Sequence, residues 1–217
     1  IRNLPMKIAF IGTGNVGAPL ADRLQKLGHQ VFIAARDPQS KSVQEATNRN
    51  AELIIKSPME AVQEAEVVFL ATPFGAIETA LAPVKALLDG KILVDCTNPV
   101  GANFSHGLQS QISGSETVQE FVPNAHVVKA FTIYGFENFE DSTYAGYGDL
   151  KPAMLIAGND TSAKELVMSL CTELGWEPVD TGNLAMSLHL EHMTLLWIKM
   201  ARVQGKGAGF VWAMLQR

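Results

Sequence analysis

A glycine-rich segment near the amino terminus constrains the fold of this chain more than any other feature. The segment Gly12-Thr13-Gly14-Asn15-Val16-Gly17 has the spacing G-x-G-x-x-G, follows the apolar run Lys7–Ile11 and precedes the amphipathic stretch Ala18–Leu27. In a strand–turn–helix setting, the first glycine makes the tight turn and the second lets the backbone approach a pyrophosphate. The third lets the helix pack against the strand. The N–H groups and dipole of the helix N-terminus attract the phosphates. The segment therefore predicts a dinucleotide-binding turn.

Apolar runs alternate with helical patterns along the rest of the chain. Further strands are predicted at Gln30–Ala35, Leu53–Lys56, Glu66–Thr72, Lys91–Thr97, His126–Phe131, Ala153–Gly158 and Glu177–Thr181. Further helices are predicted at Pro58–Ala65, Phe74–Leu88 with a break at Pro83, Thr161–Leu174 and Leu184–Val203, and long loops at Asn98–Gly114 and Thr132–Leu150. This alternation predicts an α/β chain of the Rossmann doubly wound type, with a mainly parallel sheet, helices on both faces and a C-terminal helical extension.

The chain is expected to divide near residue 150. Residues 6–150 would form the dinucleotide-binding domain, and residues 151–217 a β/α extension that packs on it and forms the wall of the acceptor site. The long helix at Leu184–Val203 is apolar on more than one face, which fits a buried core helix and a homodimer contact equally well. Ile1–Pro5 precede the first strand and carry no structural prediction.

Charge and cysteine content exclude several classes of protein. Seventeen basic and 22 acidic residues give a net charge of −5, which argues against nucleic-acid and anionic-membrane partners. Apolar runs such as Val67–Ala71 are far shorter than the roughly 20 residues of a membrane span. Cys96 and Cys171 fit no metal or redox spacing, and His189 and His192 have no third ligand at a recognisable spacing. We therefore expect a cytoplasmic protein without a metal.

The end of the second strand indicates which dinucleotide binds. An NAD site usually carries Asp or Glu there, which accepts a hydrogen bond from the ribose 2′-hydroxyl. Here the strand ends in Ala34-Ala35-Arg36, and a guanidinium pairs well with a 2′-phosphate. Ser40 and Lys41 follow closely. This pattern favours NADP(H), whereas the alternative is that Arg36 is a solvated surface residue and Asp37 binds the ribose.

On these residues, the sequence resembles the NADPH-dependent F420 reductase family and the related reductase domains of the STEAP metalloreductases. The segments on which this resemblance rests are Lys7–Gly17, Ala34–Arg36, Ala71–Phe74, Asp95–Pro99 and Val127–Phe131. The resemblance implies that Thr13, Asn15 and Val16 line the pyrophosphate, and that Ala35, Arg36 and Lys41 hold the 2′-phosphate. It places Thr72 and Pro73 at the nicotinamide ribose, Asn98 and Pro99 at the nicotinamide, and Phe131, Thr132 and Ile133 at the floor of the acceptor site.

The function that follows is hydride transfer between NADPH and a small-molecule acceptor, either a deazaflavin (F420) or a flavin such as FAD or FMN. Such a step needs orientation rather than a protein acid or base, so no catalytic side chain is predicted. Reduction of a small carbonyl or imine is the alternative, with Tyr134 or His192 as candidate proton donors. A further alternative is a redox sensor that binds NADP(H) without catalysis.

Overall fold

The computed structural model describes residues 4–217 and is built around one sheet. The eight strands are β1 (Lys7–Ile11), β2 (Gln30–Ala34), β3 (Ile54–Lys56), β4 (Val67–Leu70), β5 (Ile92–Asp95), β6 (His126–Lys129), β7 (Ala153–Gly158) and β8 (Glu177–Asp180). They are ordered β3-β2-β1-β4-β5-β6-β7-β8, and every neighbouring pair is parallel except β6 and β7. The chain order reverses between β1 and β4, where a doubly wound sheet opens its binding crevice.

Helices cover the sheet on both faces. They are α1 (Gly17–Lys26), α2 (Lys41–Arg49), α3 (Pro58–Glu64), α4 (Ile77–Leu81), α5 (Gly114–Phe121), α6 (Thr161–Glu173) and α7 (Ser187–Ile198). Capping boxes start two of them, because the hydroxyls of Ser57 and Ser113 accept hydrogen bonds from the backbone N–H groups of Glu60 and Glu116. Each box satisfies N–H groups that the first helical turn leaves without an acceptor.

Alternation along the buried strands builds two apolar cores. In β1, Ile8 and Phe10 point to the core on the side of α1, α6 and α7, whereas Ala9 and Ile11 point to the core on the side of α3 and α4. Successive side chains of a strand point to opposite faces of the sheet. Because helices cover both faces here, nearly every strand position needs an apolar residue. The Rossmann doubly wound α/β class with a mainly parallel sheet is confirmed.

The direction of β7 differs from simple strand–helix alternation. Val128 and Lys129 of β6 pair with Gly158 and Ala157 of β7 in antiparallel register. A parallel connection requires a crossover of a dozen or more residues, usually a helix. The connection between β6 and β7 contains only a 3-10 turn at Phe136–Phe139, so the chain returns along the neighbouring strand.

Several helix predictions need correction. The predicted loop at Asn98–Gly114 ends where α5 begins, and neither α5 nor α2 was expected. The predicted helix at Phe74–Leu88 is instead a short α4 between two 3-10 segments, consistent with Pro83, whose ring and missing N–H disturb α-helical bonding. The predicted helix at Leu184–Val203 is α7 with a 3-10 turn before it and a π-helical turn at Lys199–Val203 after it.

The last residues form no regular element, yet they pack against the core beside the β6–β7 connection. The indole of Trp197 donates a hydrogen bond to the carbonyl of Phe210 at 2.8 Å, and the indole of Trp212 donates to the carbonyl of Ile133 at 3.0 Å. The N–H of Ala153 donates to the carbonyl of Trp212 at 2.8 Å. The tail therefore contacts the start of β7 and the loop after β6. A division of the chain at residue 150 stays a prediction.

None of the helices in residues 4–217 is long and apolar enough to cross a bilayer. Leu196 and Val203 on the long carboxyl-terminal helical segment are 52% and 65% exposed. Nothing among residues 4–217 shows what covers them, so the homodimer stays a prediction. The cytoplasmic location stays a prediction as well.

Candidate active site

The three glycines of the turn after β1 have three different surroundings. Gly12 has a φ of +98°, and a Cβ added to it would lie 2.6 Å from the carbonyl oxygen of Ala71. A Cβ on Gly17 would lie 2.1 Å from the carbonyl oxygen of Gly12, whereas a Cβ on Gly14 would meet no atom within 4 Å. Two glycines are therefore required by packing within the protein. Gly14 instead keeps open space in front of the backbone, as close approach of a ligand requires.

The N-terminus of α1 faces this turn without a side-chain cap. Val16 occupies the N-cap position, and the first helical turn carries no acidic residue. The first N–H groups of a helix have no acceptor within it, and its dipole adds partial positive charge. The turn thus has the physical properties of an anion-binding site.

A cavity of about 290 Å³ adjoins the turn at the carboxyl ends of β1, β2 and β4. Its lining includes six of the residues predicted to bind cofactor, namely Gly12, Thr13, Ala35, Arg36, Ser40 and Thr72. It also includes Ser42, which the sequence pattern missed because α2 was not expected. Ser40 occupies the N-cap position of α2, but its hydroxyl makes no capping bond. The guanidinium of Arg36 and the hydroxyls of Ser40 and Ser42 therefore meet the N-terminus of α2 in one cavity.

Two other charged residues near Arg36, Asp37 and Lys41, are less suited than Arg36 to bind an anion in the cavity. Asp37 lines the cavity as well, but its carboxylate accepts a hydrogen bond from the backbone N–H of Gln39 at 2.9 Å and is engaged in its own turn. The side chain of Lys41 is 88% exposed, pairs with Glu45 at 3.6 Å and does not line the cavity. Arg36 is thus the charged side chain best placed for an anion inside the cavity.

The Thr72 hydroxyl is a further hydrogen-bonding group that the cavity offers to a ligand. Its hydroxyl oxygen is buried, and no hydrogen-bond partner for it occurs among residues 4–217. Buried polar groups are nearly always paired, and an orphan needs an explanation. Because Thr72 lines the same cavity, a ligand hydroxyl or phosphate oxygen is a natural partner. The site therefore fits a phosphorylated dinucleotide on geometry alone.

The other predicted cofactor residues lie around this crevice. Asn15 and Val16 belong to the turn, and Pro73 is exposed directly after Thr72. Pro99 is buried after β5, where its carbonyl accepts a hydrogen bond from the N–H of Gly107 at 2.6 Å. Asn98 is half-buried beside it. None of these five residues lines the 290 Å³ cavity itself.

The loop after β6 contains the strained backbone of the site. Phe131 and Ile133 have φ values of +53° and +71°, which residues other than glycine rarely adopt. Such a conformation costs about 1–3 kcal/mol per residue and persists only where the surroundings hold it. Thr132, between them, donates a hydrogen bond to the side-chain oxygen of Asn98 at 3.0 Å. The ends of β5 and β6 are thereby joined at the crevice.

The side chains of the predicted acceptor floor are largely internal. The ring of Phe131 is 1% exposed and packs against Phe69, Phe139 and Trp176 with centroid separations of 5.5, 6.3 and 5.7 Å. Ile133 is fully buried. The residues of this predicted floor therefore present almost no surface to a ligand and can only support it from beneath.

A buried charge network lies behind the crevice, and the sequence pattern did not reveal it. The ammonium of Lys129, at the end of β6, lies 3.3 Å from the Asp95 carboxylate and 3.4 Å from the Glu191 carboxylate, and it also donates to the carbonyl of Thr97. Glu191 bonds the His106 ring at 2.8 Å and accepts from the N–H of Gly114 at 2.9 Å. Burial opposes the charge of Lys129, but Asp95 and Glu191 outweigh it and raise the pKa of Lys129 above its ordinary value. The network ties β5, β6, α5 and α7 together.

The two candidate proton donors occupy different places. His192 is exposed, its Nε2 lies 3.0 Å from the Ser110 hydroxyl, and its ring stacks on His106 at 5.3 Å. Tyr134 is 3% exposed and donates its hydroxyl to the carbonyl of Ala153 at 3.1 Å. Burial raises the pKa of the Tyr134 hydroxyl well above its ordinary value. That hydroxyl is therefore a poor proton donor in its present place.

The raised pKa of Tyr134 predicts a loss of stability at high pH. In the unfolded chain the phenol ionises near pH 10, whereas in the folded chain it stays protonated. Its contribution is therefore complete below pH 10 and is lost as the pH rises towards the folded pKa. Between about pH 9 and about pH 11, we expect the free energy of unfolding to fall more steeply in the wild type than in Tyr134→Phe. Urea titrations at each pH measure this, with the 66%-exposed Tyr147 changed to Phe as control. Equal slopes for all three proteins would contradict the interpretation.

Similarity to known proteins decides the family. A sequence model described as NADP oxidoreductase, coenzyme F420-dependent, matches residues 7–99. The F420-dependent NADP reductase of Methanothermobacter marburgensis is 30% identical over 211 residues, which are 90% of this chain and 92% of that protein. The chain belongs to the coenzyme F420-dependent NADP oxidoreductase family. It is accordingly an NADP-dependent oxidoreductase, as the sequence pattern predicts.

Two other relatives of this oxidoreductase differ in how much of their length corresponds. Metalloreductase STEAP3 of Rattus norvegicus is 31% identical over 194 residues, which are 87% of this chain but only 36% of that protein. A crystal structure from Arthrobacter sp. FB24, described provisionally as an F420-dependent NADP reductase, superposes with a TM-score of 0.84 at 30% identity. The superposition covers 97% of this chain and 100% of that one. The chain thus spans about a third of the metalloreductase and nearly all of the two reductases.

Proposed function

We propose that this oxidoreductase transfers a hydride between NADPH and the deazaflavin F420. The observation that carries the proposal is the make-up of the far end of the crevice. There the hydrogen-bonding side chains of Asn98, Thr132 and Thr194 are amide and hydroxyl groups, and none of them is ionisable. A hydride step between two cofactor-like molecules requires proximity and orientation rather than proton transfer by the protein. Support for F420 itself comes from the printed names of relatives that correspond along nearly their whole length.

The proposed NADPH site follows the crevice from β2 to β5. Pyrophosphate would lie on the turn formed by Gly12, Thr13, Gly14, Asn15, Val16 and Gly17. The 2′-phosphate would occupy the cavity bounded by Ala35, Arg36, Ser40 and Ser42, with Lys41 at its exposed edge. The nicotinamide ribose would satisfy the buried hydroxyl of Thr72 beside Pro73, and the nicotinamide would lie against Asn98 and Pro99.

The acceptor would bind where the loop after β6 meets α7. Bound NADPH supplies the hydride from its nicotinamide ring. The chain contributes three physical functions. The glycine turn and Arg36 fix the pyrophosphate and the 2′-phosphate, the Thr72 hydroxyl fixes the ribose, and the buried Phe131–Ile133 turn supports the acceptor ring from beneath. Oriented binding of two reactants accounts for a large part of the barrier reduction in such reactions.

The proposal is tested by following NADPH oxidation with a panel of acceptors. F420 is compared with FAD, FMN, a ferric chelate and several small carbonyls and imines, with NADH run in parallel. We expect oxidation with F420 and a clear preference for NADPH over NADH. Oxidation with a carbonyl or imine and none with F420 would overturn the proposal in favour of a small-substrate reductase. Tight NADPH binding without oxidation by any acceptor would favour a redox sensor.

A further inference from the structure

The hydroxyl of Thr194, in the middle of α7, lies where three segments meet. It accepts a hydrogen bond from the N–H of Ile133 at 2.9 Å and lies 2.8 Å from the hydroxyl of Thr132. It also lies 3.1 Å from the carbonyl of Leu190, one turn earlier in the helix. The residue is 5% exposed, so water does not readily replace these bonds. A single oxygen atom thus connects α7 to the strained turn.

The turn at Phe131–Ile133 depends on such an external partner. Its left-handed backbone at Phe131 and Ile133 takes the N–H of Ile133 out of any strand ladder, and this N–H is buried. A buried N–H without an acceptor is strongly unfavourable, and here a side-chain oxygen from another element takes that place. A β-branched residue such as Ile133 rarely adopts a positive φ unless its surroundings impose it.

The same hydroxyl also influences the nicotinamide side of the crevice. Thr132 lies between Thr194 and Asn98, at 2.8 Å and 3.0 Å from their side-chain oxygens. The carboxamide oxygen of Asn98 is therefore engaged by Thr132, which leaves its NH₂ group as the donor for a bound ligand. Loss of the Thr194 hydroxyl would free both the turn and the Asn98 side chain.

We propose that Thr194 is a positioning residue for hydride transfer: its hydroxyl holds the Phe131–Ile133 turn and, through Thr132, the Asn98 side chain in the geometry that receives the acceptor. The assignment rests on the proposed function, because it takes this turn as the acceptor floor. Thr194 makes no contact with NADPH in this scheme. Its loss should therefore alter acceptor binding, whereas NADPH binding should change little, because in this scheme the glycine turn and Arg36 supply most of the contacts to NADPH and Asn98 touches only its nicotinamide end.

The test compares Thr194→Val, which removes the hydroxyl and keeps the shape, with Thr194→Ser, which keeps the hydroxyl. Thr172→Val is the matched control, because Thr172 is exposed on α6 and bonds the carbonyl of Met168 four residues earlier at 3.1 Å. In Thr194→Val we expect the KM for F420 to rise about tenfold and the Kd for NADPH to stay within about twofold. Thr194→Ser should return KM to within about threefold of the wild type.

Hydrogen exchange at the Ile133 amide provides a readout that needs no turnover. We expect about tenfold or greater acceleration in Thr194→Val and none in Thr172→Val. An unchanged KM in Thr194→Val, or a Thr194→Ser protein as impaired as Thr194→Val, would overturn the assignment. Unchanged exchange at Ile133 would overturn it as well. If the wild type fails to reduce F420 while Ile133 exchange still depends on Thr194, the proposed acceptor is wrong and the positioning role of Thr194 in the turn stands.

Discussion

Lys129→Met is expected to lower the free energy of unfolding by about 3–5 kcal/mol. The Lys129 ammonium is fully buried between the Asp95 and Glu191 carboxylates, at 3.3 and 3.4 Å. Methionine fills a similar volume without the charge, so two carboxylates would remain buried without their cation. Removal of one partner from a buried charge network is much more damaging than removal of the whole network.

Thermal and urea unfolding measure this loss, which corresponds to a lower Tm by roughly 6–20 °C for a chain of this size. The control is Lys7→Met, because Lys7 pairs with Glu64 at 3.9 Å with both side chains more than 40% exposed. Exposed pairs contribute at most about 1 kcal/mol. A triple variant that adds Asp95→Asn and Glu191→Gln should regain part of the stability. Equal free energies of unfolding for Lys129→Met and Lys7→Met would show that the buried charge network contributes no net stability.

Arg36→Ala is expected to weaken NADPH binding by about 10- to 100-fold, with little effect on NADH. Arg36 is the charged donor that lines the cavity beside Ser40 and Ser42, and only NADPH carries the 2′-phosphate that would pair with it. Charge-assisted hydrogen bonds to phosphate are among the strongest that a side chain makes. Discrimination between the two cofactors should therefore collapse in this variant.

Titration of each cofactor with the wild type and Arg36→Ala measures the two dissociation constants. Lys85→Ala is the matched control for the loss of one positive charge, because Lys85 is exposed and its ammonium lies over the Phe121 ring at 4.8 Å. It should leave both constants unchanged. Equal weakening of NADPH and NADH by Arg36→Ala would mean that the arginine does not recognise the 2′-phosphate.

Much of the framework follows from local sequence, because buried parallel strands are continuous apolar runs. All eight strands were predicted within two residues at each end, and β7 at Ala153–Gly158 matches at both ends. The helix α2 was missed because it is polar and buries only Val43 and Ala46. The helix α5 was missed although Ser113 and Glu116 form a capping box that the sequence already displays.

The parts of the site that sequence reasoning missed depend on contacts between distant segments. Asp95 and Lys129 each end an apolar run, and two opposite charges at the carboxyl ends of strands form a signal that could have been read. Glu191 and Thr194 lie on α7, and nothing in the local sequence relates them to β6. The glycine turn was predictable for the opposite reason, since its conformation and its ligand chemistry reside in six consecutive residues.

The reversed direction of β7 has a consequence for how this scaffold can vary. Because β7 runs antiparallel to β6, the chain leaves the sheet after Lys129 and enters it again at Ala153 on the side where β6 ends. The connecting residues begin at the crevice, and no α-helix has to cross the sheet between them. Further along they leave it, because the carbonyl of Phe139 and the hydroxyl of Ser142 accept hydrogen bonds from the Arg23 guanidinium in the last turn of α1. A change of length in the few residues nearest the crevice therefore alters its rim while every strand keeps its register. This scaffold can accommodate acceptors of different size through changes to that short segment alone.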